Sequence, residues 1–216
     1  MSCGLFDTLV ITHEDRIRGE LYQAEFSRKK HQATYSDIEE YLKSLTMKLE
    51  IKRSDDFSIP RIAQLTQKTN QFNLTTRRYS EDEIRKFAQD RNFDIIYATL
   101  GDKFGDMGII GVCILKYQDP DVVFDSFLLS CRALGRKVEA AFLREVLLIA
   151  IKRGASGAIG EYIPTKKNQQ TAGFFPDNGF TLLPGNKMDS GKKFRLDLKI
   201  GLKPEIFPFE KIISKI

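Results

Sequence analysis

The stretch of this 216-residue chain best equipped for chemistry is Ser130-Cys131-Arg132-Ala133-Leu134-Gly135-Arg136-Lys137. A thiol stands there beside three cations, and thiolates are favoured next to cations and helix N-termini. The apolar run Val122, Val123, Phe124, Phe127, Leu128 and Leu129 just before it reads as a buried strand. After it, Val138, Ala141, Phe142, Val146 and Ile149 fall on one helix face. The spacing therefore predicts a strand that turns through a basic, glycine-containing loop into a helix. Free N–H groups and the helix dipole favour an anion at such a helix start. A pyrophosphate cradle is one reading of this turn, and a strand-to-helix turn with solvated basic residues is the other. Cys131 likewise reads either as a nucleophile or as a small apolar core residue. The only histidines, His13 and His31, lie far from it in sequence.

Other polar residues carry weaker signals. Thr66 to Tyr79 holds Asn70, Gln71, Asn73, Arg77 and Arg78, which suits a pocket lining or a loop that bonds its own backbone. Asp102 and Asp106 sit in a glycine-containing loop and fall short of a hard-cation pattern, so they read as turn residues. Cys113 lies inside an apolar strand and reads as core.

These residues need a scaffold, and the hydrophobic pattern supplies one. Residues 1 to 46 read as a two-helix appendage. Thr12 would cap the first helix, with Ile17, Leu21, Ala24 and Phe26 on its face. Ser36 and Glu39 would box the second, with Ile38, Tyr41, Leu42 and Leu45 inward. Alternation predicts a strand over Met47 to Arg53. Ser58 and Pro60 start a helix, Asn70 to Arg78 reads as irregular, and Ser80 with Glu83 opens another helix. Strands follow at Asp94 to Leu100 and Ile109 to Tyr117. Beyond the central strand and its helix come a strand at Gly157 to Ile163 and a short helix at Gln169 to Pro176. The last strands are Phe180 to Leu183 and Phe194 to Leu198, joined through Pro184-Gly185-Asn186, and residues 201–216 read as a tail with Pro204 and Pro208. The order is α+β, with a mixed and mostly antiparallel sheet.

Composition narrows the classes. A chain this long can bury a real core. Its net charge of +5 suits an anionic ligand or an acidic carrier protein, with no basic stripe interleaved with aromatics that would point to nucleic acid. No apolar run reaches membrane-spanning length. Three scattered cysteines fit neither a disulfide framework nor a zinc site, and suit a reducing cytoplasm.

Arg132-x-x-Gly135-x-Lys137 resembles the Arg/Gln-x-x-Gly-x-Gly/Ala loop that holds the coenzyme A pyrophosphate in GNAT-type acyltransferases. Thr66 to Tyr79, Asp102 to Asp106, Ser130-Cys131-Arg132 and Gly160 to Asn168 resemble the C-terminal, GNAT-like region of FkbH-like proteins, of the HAD-superfamily subfamily IIIC. In that family a phosphatase-like HAD domain precedes the GNAT-like one, and the whole builds glyceryl-derived carrier thioesters for polyketide extender units. The resemblance implies a GNAT-like domain over residues 47–200, with residues 1–46 as the end of an upstream HAD-like region and 201–216 as a tail. Gly4 to Val10 resembles the first HAD motif with Gly4 in place of the nucleophilic aspartate, so no phosphatase chemistry is expected.

The resemblance also implies roles for single residues. Arg132, Gly135, Arg136 and Lys137 would hold phosphate, and Asn168 would contact the pantetheine arm. Lys137 departs from the small residue of the pattern. Phe175 stands where the family has a tyrosine that protonates the leaving thiolate, and the alternative for Phe174, Phe175 and Phe180 is plain core. In the GNAT layout the acyl thioester lies in the splay between the central strand and its neighbour. Cys131 would then take up the acyl group, and Glu161, beside Tyr162, would serve as general base or stand as a surface carboxylate. The expected activity is acyl transfer from an acyl-CoA or acyl carrier protein. The alternative is a non-catalytic docking module for a carrier protein, partnered by a HAD-type domain.

Overall fold

The computed structural model describes residues 13–184, 191–202 and 204–216. The predicted cap Thr12, the Ile17 and Leu21 side chains, Cys3, the Gly4 to Val10 segment and the Gly185-Asn186 turn lie outside the described residues.

A nine-stranded sheet forms the centre, in the order β7-β8-β6-β5-β4-β3-β1-β9, with β2 pairing β5 off that path. The strands are β1 (Met47–Arg53), β2 (Phe72–Asn73), β3 (Phe93–Asp102), β4 (Gly105–Gln118), β5 (Asp121–Leu129), β6 (Gly157–Tyr162), β7 (Thr181–Leu182), β8 (Lys192–Asp197) and β9 (Phe209–Lys215). Among the described residues only β5–β6 and β1–β9 pair in parallel. The expected mixed, mostly antiparallel α+β architecture is what forms.

Helices cover both faces. α3 (Ile59–Lys68) and α4 (Glu81–Gln89) bury Ile59, Ile62, Leu65 and Ile84 against Ile95, Tyr97, Val112, Ile114 and Leu128. Ser80 and Glu83 form the predicted capping box at the start of α4. α5 (Val138–Lys152) packs the opposite face through Val138, Ala141, Phe142 and Val146, as its periodicity predicts. The short α6 (Phe174–Asp177) follows a 3-10 turn at Gln169–Thr171.

α1 (His13–Gln32) and α2 (Ile38–Ser44) attach differently from the sequence expectation. Tyr41, Leu42 and Leu45 join the main core, but Ile38 is exposed. The α2 cap is Asp37, which accepts from the Glu39 N–H, rather than Ser36. α1 leaves Phe26 exposed and anchors itself through buried Arg28, whose guanidinium grips Asp102 with two bonds of 2.7 and 2.9 Å. The predicted tail also changes character. Residues 209–215 form β9, which lies parallel to β1 and extends the sheet.

The pairing of β5 sets the geometry that matters for function. Its first residues, Asp121 to Phe124, pair with Gly157 to Gly160 of β6. At Asp125 the β4–β5 register slips, with Ile114 opposite Ser126 but Leu115 opposite Phe124. A bulge of this kind bends a strand and ends regular pairing. Beyond it β5 leaves β6, and β2 fills the gap: Phe72 and Asn73 pair antiparallel with Leu129 and Leu128.

Candidate functional site

The opening between β5 and β6 is closed from within the chain. Leu74 N–H donates to the Phe127 carbonyl at 3.1 Å, and Ile163 N–H donates to the Leu74 carbonyl at 2.8 Å, so this segment bridges both strands. Thr75 Oγ1 donates to the Asp125 carbonyl at the bulge. Backbone groups on a buried strand edge must find partners, and here β2 and its neighbours supply them. The segment expected to be irregular is thus ordered tertiary structure. Asn73, fully buried, accepts from the Thr76 N–H at 2.8 Å and supports the left-handed φ of 53° at Thr76.

Asn168 completes the closure. It is fully buried; its Nδ2 donates to the carbonyls of Asn73 and Ile163 at 2.9 Å each, and its Oδ1 accepts from the Thr165 N–H at 2.7 Å. Every one of these bonds stays within the protein. Glu161 is likewise engaged: Arg77 Nη2 donates to its Oε2 at 2.6 Å, while Arg77 Nη1 reaches the Asp125 carbonyl at 2.7 Å. Tyr79 donates to Asp125 Oδ2 at 2.7 Å, and burial with that carboxylate pushes its phenol well up. Arg77 therefore ties β5 to β6 across the splay, with carboxylates on both sides.

Phe175 is 1 % exposed, among Phe124, Phe180 and Phe194. Each such buried side chain contributes roughly 1.5–3 kcal/mol of apolar burial. A Cβ at Gly160 would approach the Phe175 ring to 2.3 Å, so glycine is needed for that contact. Cys113 is buried, and burial pushes its thiol up. These rings and this thiol belong to the core.

Cys131 faces outward. It follows Ser130, whose N–H donates to the Ile110 carbonyl at 2.7 Å, and opens a 3-10 turn at Cys131–Ala133. Gly135 and Lys137 both have left-handed backbones, with φ of 74° and 60°, so the chain turns sharply around Arg136 into α5. Only glycine adopts that conformation without penalty, which gives a physical basis for a glycine at position 137. Lys137 Nζ pairs at the surface with Glu39 at 3.1 Å. Glu139 in the first turn of α5 has Oε2 buried without a partner among the described residues, and burial raises its carboxyl.

Two cavities meet at Cys131. The first, of about 770 Å³, is lined by Arg61, Gln64 and Lys68 of α3, by residues 69–71, and by Lys166 and Lys167 after β6. Among the described residues four cations and no carboxylate line it. Burial and the charge of Arg132 lower the proton affinity of Arg61, as expected where cations crowd. The second cavity, of about 480 Å³, lies under α1 and is lined by Tyr22, Glu25, Arg28, Met107, Cys131, Arg132, Leu134 and Arg136.

The structure thus brings Cys131, Arg132 and Arg136 together, and leaves Gly135 exposed at the turn. Glu161 and Asn168 line neither cavity. Sequence reasoning missed the α3 cations; their signal was the helical spacing of Arg61, Gln64 and Lys68 on one face. Among the described residues no group of three or more His, Cys, Asp or Glu side chains could hold a metal, and no helix is long and apolar enough to cross a membrane.

Neither a family model nor a curated protein sequence matches the chain. Solved structures do. The GNAT domain of S. lividans PAT is 17% identical, with a TM-score of 0.54 over 68% of this chain and 89% of that one. The Escherichia coli ribosomal-protein-S18-alanine N-acetyltransferase is 12% identical, with a TM-score of 0.52 over 74% and 99%. N-acetylglutamate synthase from Neisseria gonorrhoeae, solved with coenzyme A and N-acetyl-glutamate, is 16% identical, with a TM-score of 0.51 over 69% of this chain and 35% of that one. The strand that ends at Leu129, the turn through Gly135 and the helix from Val138 are parts of a GNAT fold.

Proposed function

We propose that this chain binds the phosphate-bearing arm of an acyl thioester in the basic cleft, and that Cys131 accepts the acyl group. The observation that carries this reading is the exposed thiol at the end of a cleft lined by Arg61, Lys68, Lys166 and Lys167. The donor is coenzyme A or a carrier protein's phosphopantetheine. Both offer phosphate oxygens, which guanidinium and ammonium groups bind as charge-assisted hydrogen bonds. A fold shared with a ribosomal-protein-S18-alanine N-acetyltransferase and with an N-acetylglutamate synthase solved with coenzyme A supports the choice of an acyl donor.

The chemistry is thioester exchange. The Cys131 sulfur attacks the acyl carbonyl, a new sulfur–carbon bond forms, the donor's sulfur–carbon bond breaks, and the thiol proton ends on the departing arm. With β2 in the splay and Asn168 occupied, the arm reaches the thiol along the rim of the strands. Glu161, paired to Arg77, takes no part as base in this account, and Phe175 offers no proton to a leaving group.

The resemblance to FkbH-like proteins extends this reading to glyceryl- or methoxymalonyl-type extender units, an acyl carrier protein and a HAD-type partner. The closed splay and the buried Phe175 favour a second reading, in which the basic cleft docks a carrier arm and no acyl group moves. Calorimetric titration with coenzyme A and with a phosphopantetheinylated carrier protein tests the shared binding step. Binding should weaken with added salt and fall at least roughly tenfold in Lys166→Glu/Lys167→Glu. Affinity unchanged in that variant would remove the basic cleft from both readings.

A further inference from the structure

The two cavities that meet at Cys131 differ in kind. The cleft offers charge through Arg61, Lys68, Lys166 and Lys167. Arginines also line the cavity under α1, but they are engaged elsewhere. Arg28 binds Asp102 through bonds of 2.7 and 2.9 Å. Arg136 pairs with Glu25 at 3.7 Å and donates to Met107 Sδ at 3.1 Å. Arg132 directs Nε at Ser130 Oγ, 3.5 Å away, and Ser130 lines the cleft. Among the described residues, the surface left for contact in the cavity is Leu134, Met107, the ring of Tyr22 and the carbon stems of the arginines.

The chemistry of exchange says what belongs on each side of the thiol. When the Cys131 sulfur attacks, the acyl carbonyl carbon bonds to it and the donor's sulfur departs with the thiol proton. That carbon carries two groups besides oxygen, the departing arm and the acyl chain, and they diverge. Cys131 follows β5, with the cleft on the side of β6 and α3 and the cavity on the side of β4 and α1. An arm lying in the cleft therefore directs the acyl chain toward the cavity. The chain finds no room between β5 and β6, where Phe72 and Leu74 are buried.

At about 480 Å³ the cavity matches sites that hold whole small molecules, and an acetyl group would fill little of it. We infer that the cavity under α1 is the acyl pocket, and that it receives a chain of several carbons on Leu134, Met107 and Tyr22. The inference rests on the acyl transfer to Cys131 proposed above. Leu134 sets the length limit: it is half-buried, three residues past the thiol, and lines the cavity but not the cleft. α1 forms the roof, and the buried Arg28–Asp102 pair holds it against the end of β3.

The test is a competition. The full chain receives equal amounts of acetyl-, hexanoyl- and decanoyl-coenzyme A, and intact mass at early times counts each acyl group on the protein. The parent should take up hexanoyl at least as fast as acetyl. Leu134→Trp, which fills the pocket, should lower the hexanoyl-to-acetyl ratio at least roughly tenfold, because methylenes excluded from an apolar pocket change selectivity by that order. Leu134→Ala, which widens it, should raise the decanoyl-to-hexanoyl ratio and serves if Leu134→Trp fails to fold. Ratios are read because general damage to the fold slows all donors alike. The pocket is wrong if the parent takes up a smaller acyl group but no hexanoyl, or if a folded Leu134 variant leaves its ratio unmoved. A parent that takes up no acyl group, or an adduct that persists in Cys131→Ala, contradicts the transfer itself and removes the pocket with it.

Discussion

Asn168 Nδ2 donates to the main-chain carbonyl of Asn73 at 2.9 Å, across 95 residues of sequence. That bond joins the loop after β6 to β2, and so holds β2 in the gap that the Asp125 bulge opens beside β5. The opening between β5 and β6 is closed in this chain, and one buried amide adds to the backbone bonds of Leu74 and Ile163 that close it.

Asn168→Ala should therefore be costly. It leaves the buried carbonyl of Asn73 and the half-buried Ile163 carbonyl and Thr165 N–H without their partner. The expected loss is about 2–4 kcal/mol in urea unfolding. Amide exchange at Phe72 to Leu74 should accelerate more than exchange within α5. A loss under about 0.5 kcal/mol, the usual range for a surface change, would mean the clamp does not bear on β2.

What the sequence made legible follows from which signals are local. β5, α5 and the turn at Gly135 were readable because Val122 to Leu129 and Val138 to Ile149 carry dense apolar patterns of one period each. The Ser80–Glu83 box was readable because both partners lie within one helical turn. β2 was not, since Phe72-Asn73 is a two-residue strand held by Leu128, Leu129 and Asn168, all distant in sequence. β9 was hidden for the same reason: Phe209–Lys215 follows a proline-containing stretch and pairs with β1 at the other end of the domain. Of the candidate site, the Cys131-Arg132 pair was legible, but the orientation of the thiol and the burial of Arg136 under α1 rest on tertiary packing.

Lys137→Gly should stabilise the fold. Lys137 holds a left-handed backbone, φ 60°, which glycine adopts freely. The surface pair with Glu39 that would be lost is exposed on both sides and contributes little. A net gain of about 0.5–1 kcal/mol is expected in chemical denaturation. A destabilised Gly variant would show that the lysine side chain is worth more than the backbone cost.

Glu139 gives a pH signature. Burial of its Oε2 without a partner raises its carboxyl above the usual range, so the folded state holds that proton more tightly than the unfolded state. Stability from this group is thus full at low pH and is lost as pH rises through the raised value. Glu139→Gln should match the parent below about pH 4, where both states are protonated, and be more stable at neutral pH. Denaturation curves at both pH values check it; an advantage that persists or grows in acid would contradict the assignment.

Thiol labelling should separate the two described cysteines. Cys131 is exposed, whereas Cys113 is buried and its thiol is pushed up. Iodoacetamide added to native protein should modify Cys131 first, by peptide mapping, with Cys113 reacting only after denaturant. Equal labelling of both in native protein would mean that β4 opens far more readily than its burial implies.

The central claim concerns an acyl group on Cys131, and intact-mass spectrometry reads it most directly. The full chain is mixed with a set of acyl thioesters of coenzyme A and of a carrier protein, glyceryl and malonyl among them, and denatured before analysis. The account predicts a mass gain of one acyl group for at least one donor, absent in Cys131→Ala and reversed by hydroxylamine. No adduct from any donor, or an adduct that survives in Cys131→Ala, would contradict it.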